Sequence, residues 1–235
     1  MVKIMNKKSK RFYMSLILEG ILVVLAIVGL IASVMAPKNQ FMDGSANLLY
    51  YTTQSNIWIC LVGLMFVIVK ILMIKKNQEY LKKWMYTLKL IFTVAITLTC
   101  LVYCILLAPV LPEDFEVWSF NSIIEHVVVP IIAIVDLFLD EYKLTFSKKS
   151  IVLVTLPPLY YLIFAIIGYI ADFEYSTGDN YPYFFLNFGS ELKIFGLSKE
   201  EPYAGSFYWI LLMLIVVLLM GFTYRYIFNK LNGEK

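Results

Sequence analysis

Residues Val117–Asp140 read VWSFNSIIEHVVVPIIAIVDLFLD, an apolar run long enough to cross a bilayer, which takes about 20 helical residues. It holds His126, the only histidine of the chain. An ionisable side chain at membrane depth is costly and marks a functional-site hypothesis. Pro130 follows four positions later, so the N–H that would bond the His126 carbonyl is missing and the helix should bend at the histidine. At helical spacing Ser122 shares the face of His126, while Glu125 points about 100° away.

Working outward, five more runs have spanning length: Phe12–Ala36, Ala46–Ile74, Trp84–Val110, Ser150–Ala171 and Gly205–Phe228. The 235 residues are 60% hydrophobic and 16% charged, far too apolar for an ordinary soluble domain. The expected fold is all-α: a polytopic membrane bundle of six transmembrane helices forming a single integral membrane domain over residues 1–235. The first run is too long for a signal peptide and is read as an uncleaved helix. The connection 172–204 is the one long loop. It is rich in Tyr and Phe, with Gly178-Asp179-Asn180 as a turn signal, and either lies in an aromatic belt at the interface or folds over the bundle as a lid. Pro157-Pro158 should kink or shorten the fifth helix. The stripe Thr93, Thr97, Cys100, Cys104 on the third reads as close helix packing.

Fifteen of the twenty basic residues fall at the N-terminus, at Lys75-Lys76 with Lys82-Lys83, at Lys143 with Lys148-Lys149, and in the tail with Arg225, Lys230 and Lys235. The opposite side has only Lys38, Lys193 and Lys199, beside acidic Glu113, Asp114, Glu116 and Asp172. The positive-inside rule then puts both termini in the cytoplasm of a multi-pass cell-membrane protein. The net charge of +3 suits an anionic inner leaflet and calls for no nucleic-acid partner. The absence of a Gly-rich phosphate loop or a G-x-S-x-G turn argues against a nucleotide partner. One histidine without a cluster of thiolates or carboxylates makes no metal site, and no cofactor is expected. Cys60, Cys100 and Cys104 lie inside apolar runs and form neither a disulfide framework nor a C-x-x-C site.

Early in the second run, Thr52-Thr53-Gln54-Ser55-Asn56 offers hydrogen-bonding groups where lipid supplies no partner, so they must face protein, water or ligand. Thr52, Ser55 and Asn56 share one helix face, and Thr53 shares an edge with Asn56. With the second helix entering near Ala46, at 1.5 Å per residue the threonines lie roughly 10 Å deep and His126 roughly 13 Å deep from the same surface. A hydroxyl beside an imidazole is the minimal nucleophile–base pair and suits acyl transfer. Gln54, Asn56 or Ser122 would orient the base or hold an oxyanion, and Ser55 completes the polar face. The plainer reading is a set of interhelical hydrogen bonds that fix the bundle, each worth about 1 kcal/mol or less. Glu19 and Asp136 read as interface or packing partners nearer the cytoplasmic side, or as parts of a proton relay.

Tyr51-Thr52-Thr53-Gln54-Ser55-Asn56, then Leu101-Val102-Tyr103, then Glu125-His126-Val127-Val128-Val129-Pro130 with Asp136, then Tyr181-Pro182-Tyr183-Phe184-Phe185-Leu186 together resemble the bacterial branch of the androgen-induced-gene family, which includes the androgen-dependent TFPI-regulating proteins. The resemblance covers the second to the sixth helix. It implies a membrane hydrolase of fatty acid esters of hydroxy fatty acids, with an intramembrane threonine as nucleophile and His126 as its partner. The threonine is Thr53 by one alignment of the motif and Thr52 by the other. Tyr181 and Tyr183 become candidates for substrate contact, with a membrane lipid or lipid-like ester as the substrate and the bilayer as the surroundings. The alternative is a small transporter or lipid-binding membrane protein without catalysis, its passage or cavity lined by the same residues.

Overall fold

The computed structural model describes residues 9–36, 44–111, 113, 115–139, 145–175, 178–200 and 203–233. Lys3, Lys7, Lys8, Lys38, Asp114, Asp140, Lys143 and Lys235, which entered the charge reading and the span boundaries, lie outside them. Among the described residues six helices are long and apolar enough to cross a membrane: α1 (Lys10–Val34), α2 (Tyr51–Lys76), α3 (Lys83–Leu107), α4 (Phe120–Leu139), α5 (Lys149–Ile170) and α6 (Ser206–Asn232). The chain is a multi-pass membrane protein. The starts and ends are set by local chemistry. Ser9 caps α1 by accepting the Phe12 N–H at 3.1 Å, and α2 stops at Asn77, which adopts the left-handed conformation at φ 50° that Asn tolerates.

Successive helices run in opposite directions. This brings together the beginnings of α1, α3 and α5 and the ends of α2, α4 and α6 at one basic end of the bundle, with Arg11, Lys75-Lys76, Lys82-Lys83, Lys148-Lys149 and Lys230. Arg11 ties α1 to α4 there, donating to the Leu139 and Phe138 carbonyls at 3.1 Å each, two of the four carbonyls that any helix end leaves unbonded.

Polar groups are sorted into two layers. Near the basic end Ser15, Glu19, Lys70, Lys89 and Asp136 are buried together; near the opposite end are Ser33, Thr52, Ser55, Asn56, Thr99, Glu125 and His126. Between them lies an apolar layer of Leu22, Ala26, Ile59, Ile96, Val129 and Ala133. Each of α1 to α4 therefore reads polar, apolar, polar along its inward face. Lipid supplies no partner for the polar groups, so they turn inward, and the outward face carries the exposed Ile, Leu and Val.

Close approach of α1 to α4 needs a residue without a side chain at Gly29, where an added Cβ would meet Ile124 Cγ2 at 2.9 Å and Glu125 Cγ at 3.0 Å. Gly29→Val is expected to destabilise the protein by about 1–3 kcal/mol through overpacking. Gly20→Ala is the matched control, because nothing lies within 4 Å of its added Cβ and alanine is the better helix former. Unfolding midpoints of the two variants in detergent check the contrast.

Two differences from the sequence reading shape the site. First, α2 begins at Tyr51 rather than Ala46, because Gly44–Leu49 forms a 3₁₀ turn whose Asn47 side chain accepts from the Thr53 hydroxyl. Thr52 therefore sits in the first turn of α2, closer to the helix end than the depth reckoning gave. Second, the proline of α4 is absorbed by a π-helical turn over Ile124–Val128 instead of a simple bend. The Val129 N–H reaches back to the Ile124 carbonyl, and the next carbonyl, that of Glu125, would by the same register wait for the N–H that Pro130 lacks. Asn56 of α2 fills that place, donating to the Glu125 carbonyl at 3.2 Å.

The Pro157-Pro158 pair breaks α5 as its lack of N–H groups requires. The helix runs Lys149–Leu153, turns, and resumes at Leu156–Ile170 with the prolines in the first turn, where a missing N–H costs nothing. The α5 and α6 helices meet near the basic end, where an added Cβ on Gly221 would lie 2.6 Å from Val154. Farther up, Pro158, Leu159 and Leu162 of α5 and Ile210, Met213 and Leu214 of α6 line a common cavity. The long loop closes that cavity from the end opposite the basic one, with Tyr183, Phe185 and Leu186 buried in the core. Of its two alternatives the loop takes the fold-over one. Its turn lies where Gly178-Asp179-Asn180 put it, with Gly178 at φ 79°.

Candidate functional site

Thr52 and His126 meet. The Thr52 Oγ1 lies 3.2 Å from His126 Nε2, and both side chains are buried, at 4% and 1% exposure. On the other side of the ring Nδ1 lies 2.9 Å from the Ser122 carbonyl oxygen. A carbonyl only accepts, so Nδ1 carries the proton and Nε2 presents a lone pair to the threonine hydroxyl. Ser122 thus orients the imidazole through its backbone, not through the hydroxyl that made it a candidate. That hydroxyl instead pairs with the Tyr103 hydroxyl at 3.3 Å.

The ring plane is fixed as well. Tyr103 stacks on His126 with centroids 3.6 Å apart and planes at 15°, and the Tyr103 hydroxyl is tied to the Val117 carbonyl. Tyr103 opens a π-helical turn over Tyr103–Leu107 in α3, so both stacked residues come from widened turns, which recur at functional sites. Apart from its place in the resemblance motif, Tyr103 carried no sequence signal of this role.

The remaining candidates divide. Ser55 donates to the Thr52 carbonyl at 2.9 Å and pairs with Thr99 Oγ1 at 2.7 Å. Asn56 donates to the Thr52 carbonyl at 2.9 Å and to the Glu125 carbonyl. Both brace the turn that carries Thr52. Thr53 is turned away to Asn47, so of the two threonines only Thr52 is on the imidazole. Gln54 reaches back to the Leu48 carbonyl at 3.3 Å and is not brought to the histidine. Tyr183 accepts the Tyr51 N–H at 3.1 Å and lines the same cavity as Thr52. Tyr181, half-buried, does not line the cavity.

Thr52 is also the polar head of the cavity between α2, α3, α5, α6 and the loop. The cavity volume is about 80 Å³, and its walls are almost wholly apolar or aromatic, Thr52 and Thr99 providing the aliphatic hydroxyls. His126 is absent from the lining, so Thr52 stands between the imidazole and the empty space. A hydroxyl in this position can pass its proton inward to nitrogen while its oxygen faces whatever the cavity holds.

The second polar layer lies apart from this site. Lys70 Nζ is 2.8 Å and Lys89 Nζ 2.9 Å from Glu19 Oε1, and Lys89 Nζ is 2.7 Å from Asp136 Oδ2. Glu19 and Asp136 are thus charge partners of two lysines that the sequence reading had left unassigned, and the apolar layer separates them from His126. The signal was present: Lys70 and Lys89 sit within apolar runs, where a lone ammonium needs a carboxylate. Comparison with protein-family models, curated proteins and solved structures found no match to this chain.

Proposed function

We propose that the protein is an intramembrane lipid-ester hydrolase in which Thr52 is the nucleophile and His126 its general base. The observation that carries this reading is the Thr52–His126 contact of 3.2 Å at the head of an apolar cavity. The resemblance to the androgen-induced-gene family supports the same chemistry, and of its two candidate threonines the contact favours Thr52. By the basic-residue distribution the basic end faces the cytoplasm in a cell membrane, and the site serves the opposite leaflet.

In the first step His126 Nε2 takes the Thr52 proton as Oγ1 bonds to the ester carbonyl carbon, and the carbonyl π electrons move to its oxygen. Collapse of that adduct breaks the bond to the alcohol oxygen, which leaves with the proton from Nε2. Water then attacks the acyl carbon as it gives a proton to His126 Nε2, and collapse of this second adduct breaks the bond to Thr52 Oγ1, which takes the proton back from Nε2 as the carboxylic acid leaves. The acyl chain occupies the cavity between α5 and α6, whose aliphatic walls offer it an environment as apolar as the bilayer core.

The test is a dodecyl fluorophosphonate probe on the purified protein in detergent micelles, with the labelled residue mapped by peptide mass spectrometry. Wild-type protein is expected to be labelled at Thr52 and the Thr52→Ala variant not at all. A protein that holds lipid or transports solute without chemistry remains unlabelled, and that result would sink the proposal.

A further inference from the structure

We infer that Tyr183 is a further catalytic residue: its phenol O–H, held on the first turn of α2 beside Thr52, is the hydrogen-bond donor to the oxyanion that forms when Thr52 attacks. The inference rests on the nucleophilic role of Thr52 proposed above and adds the group that stabilises the charge so created.

The direction of every proton around the site is fixed by valence. The Nδ1–H of His126 goes to the Ser122 carbonyl at 2.9 Å, so Nε2 accepts, and the Thr52 hydroxyl across 3.2 Å donates. The Tyr183 oxygen receives the Tyr51 N–H at 3.1 Å, which holds the phenol at the start of α2. That amide has no helical partner of its own, being the first N–H of α2. With the Thr52 proton committed to His126 and the Tyr183 oxygen accepting from the backbone, the phenol O–H is, of the two hydroxyls, the one that can donate into the cavity they both line. An amide at the positive end of a helix pulls electron density from the phenol oxygen, making its O–H a stronger donor.

Attack changes what that O–H meets. As Thr52 Oγ1 bonds to carbon, its lone pair is consumed and negative charge appears on an oxygen one bond farther into the cavity, which Tyr183 also lines. A donor on the cavity wall beside the nucleophile meets that charge only once the attack has created it, which is the condition for stabilising the transition state more than the ground state. Burial raises the Tyr183 phenol above its ordinary range, so the proton is present at any physiological pH. The position is rigid: the ring is stacked on Phe185 with centroids 5.1 Å apart and packs edge-on against Tyr50 at 5.8 Å.

Tyr183→Phe removes the O–H and keeps the ring. The measurement is the rate of Thr52 labelling by dodecyl fluorophosphonate, whose phosphonyl oxygen takes the place of the carbonyl oxygen. The expected result is a fall of about 10²–10³-fold in the maximal rate, the usual consequence of losing one oxyanion donor, with the half-saturating probe concentration changed less than about threefold. Tyr175→Phe, in the same loop and packed on Tyr50 but outside the cavity lining, should label at the wild-type rate, and both variants should melt within about 2 °C of wild type. Wild-type labelling with an undiminished rate in Tyr183→Phe would overturn the role of Tyr183 alone. So would a change confined to the half-saturating concentration, which makes Tyr183 a wall of the binding site. Wild-type protein without labelling at Thr52 would overturn this inference together with the nucleophile it rests on.

Discussion

Thr52→Ala and His126→Ala are each expected to lower kcat for a long-chain fatty acyl ester by at least about 10⁴-fold, because removing either member of a nucleophile–base pair typically costs most of what the pair contributes. Thr53→Ala should stay within about threefold of wild type. The two threonines are adjacent in sequence and equally buried, at 4% and 1% exposure, so bulk effects on packing are alike and the contrast isolates chemistry. Thr52 is on the imidazole at 3.2 Å; Thr53 is on Asn47, and its loss costs about one neutral hydrogen bond of stability, ~1 kcal/mol. Non-additivity is the stricter check. If the two residues work as a unit, Thr52→Ala with His126→Ala should be no slower than either single variant. Multiplying losses would mean that the residues act separately, and equal activity in Thr52→Ala and wild type would end the proposal. Initial rates with 4-nitrophenyl decanoate in micelles suffice for wild type and all four variants.

The six spans were legible because length and hydropathy alone decide what can cross a bilayer, and the polar face of α2 was legible because helical spacing groups Thr52, Ser55 and Asn56. The juxtaposition of that face with His126 rested on depth reckoned from two helix starts. One of those starts was misplaced by the 3₁₀ turn at Gly44–Leu49, yet the two groups still meet. What spacing does not carry is rotation around a helix axis that changes register. The π turns at Tyr103 and at Ile124 each insert an extra residue, and this shifts which residues face inward. The stacking of Tyr103 on His126 and the reach of Asn56 to the Glu125 carbonyl follow from those insertions. The choice between Thr52 and Thr53 lay beyond periodicity for a related reason: it depends on where α2 begins, and that is settled by Asn47 accepting from Thr53. The loop was the least legible part. Tyr181 and Tyr183 are two residues apart and alike in chemistry, and only tertiary packing on Tyr50 and the α2 terminus brings Tyr183 alone into the site.

Lys89→Met is expected to destabilise the folded protein by about 3–5 kcal/mol, the cost of stripping one partner from a buried ionic cluster. Lys89 bridges Glu19 and Asp136 at 2.9 and 2.7 Å, and its ammonium lies 4.4 Å from the centre of the Phe66 ring. Removing it takes an ammonium from both carboxylates, leaving Lys70 on Glu19 and the Ser15 hydroxyl on Asp136. Asp136→Leu in the same chain takes away the stranded carboxylate and leaves the Lys70–Glu19 pair at 2.8 Å intact. The double variant should therefore recover most of the lost stability, since a buried ion pair replaced whole by apolar groups is often neutral. Unfolding free energies by denaturant titration in mixed micelles give the cycle. If instead the double variant is as unstable as the sum of the singles, the four groups do not act as one cluster. Labelling at Thr52 should be unchanged in whatever fraction of Lys89→Met remains folded, because the apolar layer of Leu22, Ala26, Ile59, Ile96, Val129 and Ala133 lies between this cluster and His126. A shift in labelling rate in the folded fraction would show the two polar layers to be coupled, and would return the bundle to the transport reading.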